Sequence, residues 1–231
     1  VAFWWAFFSI PILRNVSESD TKKQEPRFFK AILQSFNEVY QTLMEVRKYK
    51  NVAIFLLAYW FYMDGIDTIV RMATAYGSDI GLEASSMITA LILTQFVGFP
   101  STLIFGYFAD KIGFKKIISI GILIYILISI FASRITTATE FYLMAVVVGL
   151  VMGGVQAVSR AYFSSIIPDD KEAQFFGFYN LVGKSAVVAG PALLAWISMI
   201  FNTPRAGILG LLILFIPGLI LLWMVPTQKN S

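Results

Sequence analysis

The chain has 231 residues, 58% hydrophobic and only 14% charged, with mean hydropathy +0.73 and net charge +4. Soluble domains carry roughly 25% charged residues, so the apolar excess points to lipid as the solvent. There is no Cys, which excludes disulfides, thiolate chemistry and Cys-based metal sites. There is no His, so proton movement near neutral pH falls to Asp or Glu.

The first thirteen residues (VAFWWAFFSIPIL) are apolar but shorter than the ~20 residues that cross a bilayer. They lack a basic start and a small-residue cleavage site, so they do not read as a signal peptide. They read instead as the tail of a preceding span. Residues 14–50 form the long polar stretch, with eight basic residues: Arg14, Lys22, Lys23, Arg27, Lys30, Arg47, Lys48 and Lys50. Within it, Phe28, Phe29, Ile32, Leu33, Phe36, Val39, Tyr40, Leu43 and Met44 recur at helical spacing. That pattern predicts an amphipathic helix over 27–47, lying on the inner membrane face or under the bundle.

Six longer apolar segments follow: Val52–Ala75, Ala84–Ala109, Lys115–Ala132, Glu140–Ile167, Phe175–Phe201 and Ala206–Val225. Each is long enough for a hydrocarbon core of about 30 Å at 1.5 Å per residue. Backbone groups in lipid must be satisfied internally, so these are expected to be helices, giving an all-α membrane bundle. Basic residues in 14–50 and at Lys111, Lys115 and Lys116 place those loops in the cytoplasm by the positive-inside rule. Tyr76–Glu83 has no basic residue and Ser133–Thr139 has Arg134 alone. A domain over 51–226 with both ends cytoplasmic satisfies this pattern, with 227–231 as a cytoplasmic tail. The basic excess thus reads as topology and not as nucleic-acid binding.

The segment GYFADKIGFKK, residues 106–116, carries Gly106, Asp110, Lys111, Gly113, Lys115 and Lys116. It resembles the signature loop of the major facilitator superfamily, G-x-x-x-D-[RK]-x-G-[RK]-[RK]. Phe114 departs from members that have a basic residue directly after the second glycine. The glycines suit a tight inter-helix turn, and the lysines suit anchoring at the inner surface. In that superfamily two six-helix halves are related by pseudo-symmetry, and the loop joins the second and third helices of each half. The resemblance implies that this chain holds the end of a sixth helix, the central loop and the six helices of the C-terminal half.

Three further stretches resemble the vacuole-effluxer-like branch: Phe61-Tyr62-Met63-Asp64-Gly65 with Arg71-Met72-Ala73, residues 153–160 (GGVQAVSR) and residues 175–184 (FFGFYNLVGK). Fungal members of that branch export amino acids from the vacuole. The resemblance therefore implies alternating access, with amino-acid efflux as one expected activity.

Charges inside a span cost ~2.5 kcal/mol or more when unpaired, so each is a functional candidate. Asp64, Asp67 and Arg71 lie on one face of the first full span, within roughly 60° at 100° per residue. They fit a proton or cation site with an Arg for a substrate carboxylate; an Asp67–Arg71 pair at i, i+4 is the structural alternative. The fourth span places Gln156 and Arg160 on one face, after Gly149-x-x-x-Gly153. Arg160 fits an anion site or a snorkelling anchor. The fifth span has Asn180 and Lys184 one turn apart, and Asp64 is the first candidate partner for Lys184. Gly190-Pro191 is expected to kink that helix. Gln95 is a weaker cavity candidate, and Tyr59, Trp60, Phe61 and Tyr62 would wall a pocket or simply pack.

No nucleotide-binding loop, metal-ligand cluster or Ser/His/Asp set is visible, so the sequence predicts neither an enzyme nor a cofactor. The expected function is a secondary transporter half moving a small solute, coupled to a proton or other ion gradient. A lipid or lysolipid transporter of the same fold and a non-transporting sensor or assembly protein are the alternatives. Expected partners are the lipid bilayer, a small-molecule substrate and the N-terminal six-helix half; a self-dimer of this piece is a further expectation. The expected location is the bacterial cytoplasmic membrane.

Overall fold

The computed structural model describes residues 41–226, together with the single positions Ser9 and Val39. The predicted span tail over 1–13, most of the amphipathic helix over 27–47 and the tail over 227–231 lie outside the described residues. Of the amphipathic helix, residues 41–46 are described and are helical.

Among the described residues eight α-helices follow that segment: α1 (Lys50–Asp79), α2 (Ala84–Ile112), α3 (Phe114–Ala132), α4 (Ala138–Ile166), α5 (Glu172–Ser185), α6 (Ala189–Phe201), α7 (Pro204–Gly210) and α8 (Leu212–Met224). A short 3-10 turn, Asp169–Lys171, precedes α5. With α5 and α6 taken together, and α7 and α8 likewise, six helical segments among the described residues are long and apolar enough to cross a bilayer. The protein is a multi-pass, all-α membrane protein, as the apolar segments predict.

Local chemistry explains the boundaries. Thr137 and Glu140 form a capping box that starts α4: the Glu140 amide donates to Thr137 Oγ1 (3.3 Å) and the Thr137 amide to Glu140 Oε2 (3.1 Å). Asn202 closes α6 in the left-handed region at φ 51°, and Pro204 opens α7 one residue after Thr203. Gly113 separates α2 from α3 at φ 100°, a conformation that L side chains rarely adopt. The rest of the signature segment is helical: Gly106, Asp110 and Lys111 belong to α2, and Lys115 and Lys116 to α3. The expected loop is therefore one residue wide.

α1 is the most enclosed span. Phe55, Tyr62 and Ile66 are fully buried, and the helix is covered by α4, α5, α6 and α8. Gly218 of α8 seats on the Tyr62 backbone, and Phe215 fills the space beside Gly65. Tyr62 and Ser159 join α1 to α4 through a buried hydroxyl pair at 2.8 Å. α2 packs on α4 through small residues. Thr94 Oγ1 donates to the Ala145 carbonyl and Ser101 Oγ to the Gly149 carbonyl, both at 3.1 Å. Small residues that let two backbones meet are the usual device for helix association in lipid. The opposite face of α2 leaves Phe96 and Phe99 each 78% exposed, as lipid or a further helical domain requires.

Candidate functional site

A cavity of about 500 Å³ opens between α1, α4 and α5, with Thr102 of α2 at its rim. Asp67 and Met63 of α1, Gln156 and Arg160 of α4, and Asn180 and Lys184 of α5 line it. Five residues singled out in the sequence thus meet in one place: Asp67, Gln156, Arg160, Asn180 and Lys184. The glycines explain the room. Gly153 of α4 and Gly183 of α5 lie in the wall, where a Cβ would strike Thr102 Oγ1 at 2.2 Å and approach the Tyr59 hydroxyl at 3.1 Å.

Aromatic stacking fixes the floor. The rings of Tyr59 and Tyr179 stack at 4.3 Å, and those of Tyr179 and Phe163 at 4.7 Å. This ladder ties α1, α4 and α5 together just beneath the polar groups. The Arg160 guanidinium sits 5.2 Å from the centre of the Phe176 ring, a cation–π contact that orients it without neutralising it. Tyr179 adjoins Asn180 and Phe176 lies one turn before it, so their role was readable only once α5 was known to turn that face inward.

The cavity charges are not paired off. Among the described residues the one ion pair within 4 Å is Lys171 with Glu45, outside the cavity. Asp67 therefore forms no ion pair with Arg71, which is exposed one turn along, although Arg71 acts on it electrostatically. Nor does Lys184 pair with Asp64: Lys184 shares the cavity with Asp67 instead. One acidic side chain thus shares the space with two basic ones. Such an arrangement offers basic groups for an anionic end and an acidic group for a cationic or donor end.

The remaining site candidates fall elsewhere. Asp64 is fully buried and does not line the cavity. Gln95 is exposed on α2, away from it. Gly190 and Pro191 sit in the first turn of α6, and the interruption comes just before them, at residues 186–188. Pro191 lacks the amide that would bond the Val187 carbonyl, which accounts for a break at that point. Asp110, Lys111 and Lys116 are exposed at the α2–α3 junction. Lys111 Nζ donates to the Tyr107 hydroxyl at 2.5 Å. Lys115 is engaged differently: its Nζ donates to the carbonyls of Trp223 (3.1 Å) and Val225 (2.6 Å), capping the end of α8.

A second polar cluster lies outside the cavity at the start of the chain's described region. Lys171 pairs with Glu45, and Gln174 Nε2 donates to Thr42 Oγ1 (3.0 Å) and Glu45 Oε2 (3.1 Å). The Tyr49 and Phe175 rings meet edge to face at 5.5 Å. These contacts fasten the helical end of the polar stretch to the entry of α5, the helix that carries Asn180 and Lys184. No group of three or more Asp, Glu, His or Cys suited to a metal ion occurs among the described residues.

The family model described as "Vacuole effluxer Atg22 like" matches residues 1–231, the whole chain. The chain belongs to this family. Among its relatives, an uncharacterized MFS-type transporter, YxiO, of Bacillus subtilis is 36% identical over 230 residues, which is 100% of this chain and 53% of that protein. Autophagy-related protein 22 of Kluyveromyces lactis is 24% identical over 86% of this chain and 44% of its own length. Autophagy-related protein 22-1 of Aspergillus niger is 24% identical over 100% of this chain and 41% of its own length. The chain therefore spans about half the length of the curated relatives it matches. Membership agrees with the branch whose resemblance rests on residues 61–73, 153–160 and 175–184.

Proposed function

We propose that this Atg22-like chain is the C-terminal half of a secondary transporter that moves a small charged solute, with amino acids as the first substrate class. The observation that carries this reading is the cavity: Asp67, Gln156, Arg160, Asn180 and Lys184, drawn from three helices, face one space and are not consumed by ion pairs with each other. Arg160 and Lys184 suit a substrate carboxylate, and Asp67 suits its ammonium group. Asn180 and Gln156 supply orienting hydrogen bonds. A polar lining of this kind disfavours a lipid chain as cargo.

The mechanism is alternating access, two halves rocking about a midplane site. The other half completes the cavity, and the exposed apolar face of α2 suits contact with it or with lipid. Asp110, Lys111 and Lys116 sit where they can engage the other half at the inner surface, while Lys115 stays with α8. An ion gradient drives the cycle across a cytoplasmic membrane, with the chain's C-terminus inside.

The test is flux of radiolabelled amino acids into proteoliposomes holding the intact protein, with Asp67→Asn and Arg160→Ala beside the wild type. Flux that saturates in the wild type and is lost in both variants supports the reading. Absence of flux for every amino acid, or flux indifferent to both substitutions, overturns it.

A further inference from the structure

Asp64 is fully buried in the middle of α1; no side chain hydrogen-bonds its carboxylate, and the Gly190 backbone amide is the group directed at it. Thr68, one turn along, is also fully buried, and its hydroxyl is unpartnered. These groups converge on one residue of another helix. A point one bond out from the Gly190 α-carbon lies 2.0 Å from Thr68 Oγ1, 2.8 Å from Asp64 Oδ1 and 3.0 Å from the Asp64 carbonyl. Only a residue without a side chain fits there, so Gly190 is what allows the oxygens to gather.

Among the described residues no cation answers this carboxylate: no Lys or Arg lies within 4 Å of it. The charged group that acts on it is Asp67 on its own helix, a second negative charge. The elements packed from the other side, α6 and α8, contain no ionisable side chain over Ala189–Phe201 and Leu212–Met224. On α3, the buried Tyr125 hydroxyl is uncharged, and Arg160 of α4 and Lys184 of α5 face the solute cavity. An unneutralised carboxylate held this way costs several kcal/mol. Its compensating positive charge does not come from the described residues.

We propose that Asp64 and Thr68, closed over by Gly190, form a monovalent-cation site, for a proton or a sodium ion, that couples the gradient to solute movement and is separate from the solute cavity. This rests on the transport reading. One interrupted crossing links the two sites: α5 presents Asn180 and Lys184 to the solute, and α6 closes over Asp64 with Gly190. The break at 186–188 lies between them. A tilt of α6 about that break would expose the carboxylate to water and release its cation, while the same break transmits occupancy of the cavity.

The test uses the intact protein in proteoliposomes with a tritiated amino-acid mixture as probe. Two modes are measured: exchange with equal solute on both sides and no ion gradient, and accumulation driven by a pH gradient alone or a sodium gradient alone. The expected result is that Asp64→Asn keeps exchange but accumulates no more than the gradient-free control. Whichever gradient drives the wild type identifies the cation. Thr68→Val, close in shape to Thr, keeps the fold testable if Asp64→Asn does not express, and is expected to lower accumulation while sparing exchange. Accumulation by Asp64→Asn or Thr68→Val equal to wild type overturns the proposal. So does wild-type exchange that neither gradient can drive. Wild-type protein that shows no exchange at all defeats the transport reading itself, and that outcome is distinct from the other two.

Discussion

Gly149 fixes how closely α2 and α4 approach, and replacing it has a calculable consequence. A Cβ there would lie 2.7 Å from the Thr94 carbonyl oxygen and 3.1 Å from the Thr94 α-carbon, both backbone atoms that cannot swing aside. Ordinary contact begins near 3.4 Å, so Gly149→Ala must push the helices apart by about 0.7 Å. The bonds from Thr94 Oγ1 to the Ala145 carbonyl and from Ser101 Oγ to the Gly149 carbonyl, each 3.1 Å, would then stretch towards ~3.8 Å and fail. Interhelical hydrogen bonds in lipid contribute ~0.6 kcal/mol on average and up to ~1.7, so two of them amount to about 1–3 kcal/mol. Alanine returns roughly 0.5–1 kcal/mol through its better helix propensity. The net expectation is a loss of up to about 2.5 kcal/mol. Gly177→Ala is the control, because a Cβ at Gly177 meets nothing within 4 Å; it is expected to be neutral or stabilising. The assay is reversible unfolding in mixed micelles by SDS titration, followed by circular dichroism. A midpoint for Gly149→Ala equal to or above wild type would refute the close-approach argument.

Other consequences can be checked the same way. Tyr62→Phe leaves the buried Ser159 hydroxyl without its 2.8 Å partner and is expected to cost about 1 kcal/mol, with Tyr62→Phe/Ser159→Ala costing little more than either alone in a double-mutant cycle. The hydrogen bond from Lys171 holds the Glu45 carboxyl below its ordinary value. Its folded pKa is therefore depressed, so its contribution to fastening residues 41–46 is present above the usual carboxylate range and lost as pH falls through the depressed value. Amide exchange of residues 42–47, corrected for intrinsic rate, should speed up at acid pH in the wild type and show no such step in Glu45→Gln. Lys115→Met removes the donor to the Trp223 and Val225 carbonyls, and hydrogen exchange should show the end of α8 fraying while α3 stays protected.

Much of this fold was legible because lipid imposes a simple rule. Apolar runs of span length had to be helices, and the six are helical, the last two with one interruption each. What composition could not reveal was where a helix would break or extend. Pro191 and Gly190 marked the fifth crossing, but the interruption falls at 186–188, since the missing amide frees a carbonyl four residues upstream. The segment 106–116 reads as a loop from its glycines and charges, yet only Gly113 leaves the helical conformation, because the flanking residues are free to extend α2 and α3 beyond the apolar core.

The candidate site was legible by residue type and not by partner. Asp67, Gln156, Arg160, Asn180 and Lys184 meet because α1, α4 and α5 turn those faces to one space. Asp64 looked equivalent to Asp67 at i, i+3, yet a rotation of about 60° between them separates a buried carboxylate from a cavity-lining one. Neither Thr68 nor Tyr179 was given a role in the site, for opposite reasons. A Thr in an apolar helix is unremarkable until its hydroxyl proves unpartnered, and one Tyr among ten carries no signal by itself.

The central claim is that the cavity is a water-accessible solute site. The chain has no cysteine, so Ala157→Cys, placed in the cavity wall, gives a labelling site without background from this chain. The deciding measurement is its rate of reaction with a membrane-impermeant maleimide in the intact protein, with and without amino acids. The account predicts labelling that saturating solute slows, with the protection lost when Arg160→Ala is added. Failure to label, or labelling indifferent to every amino acid, would contradict it.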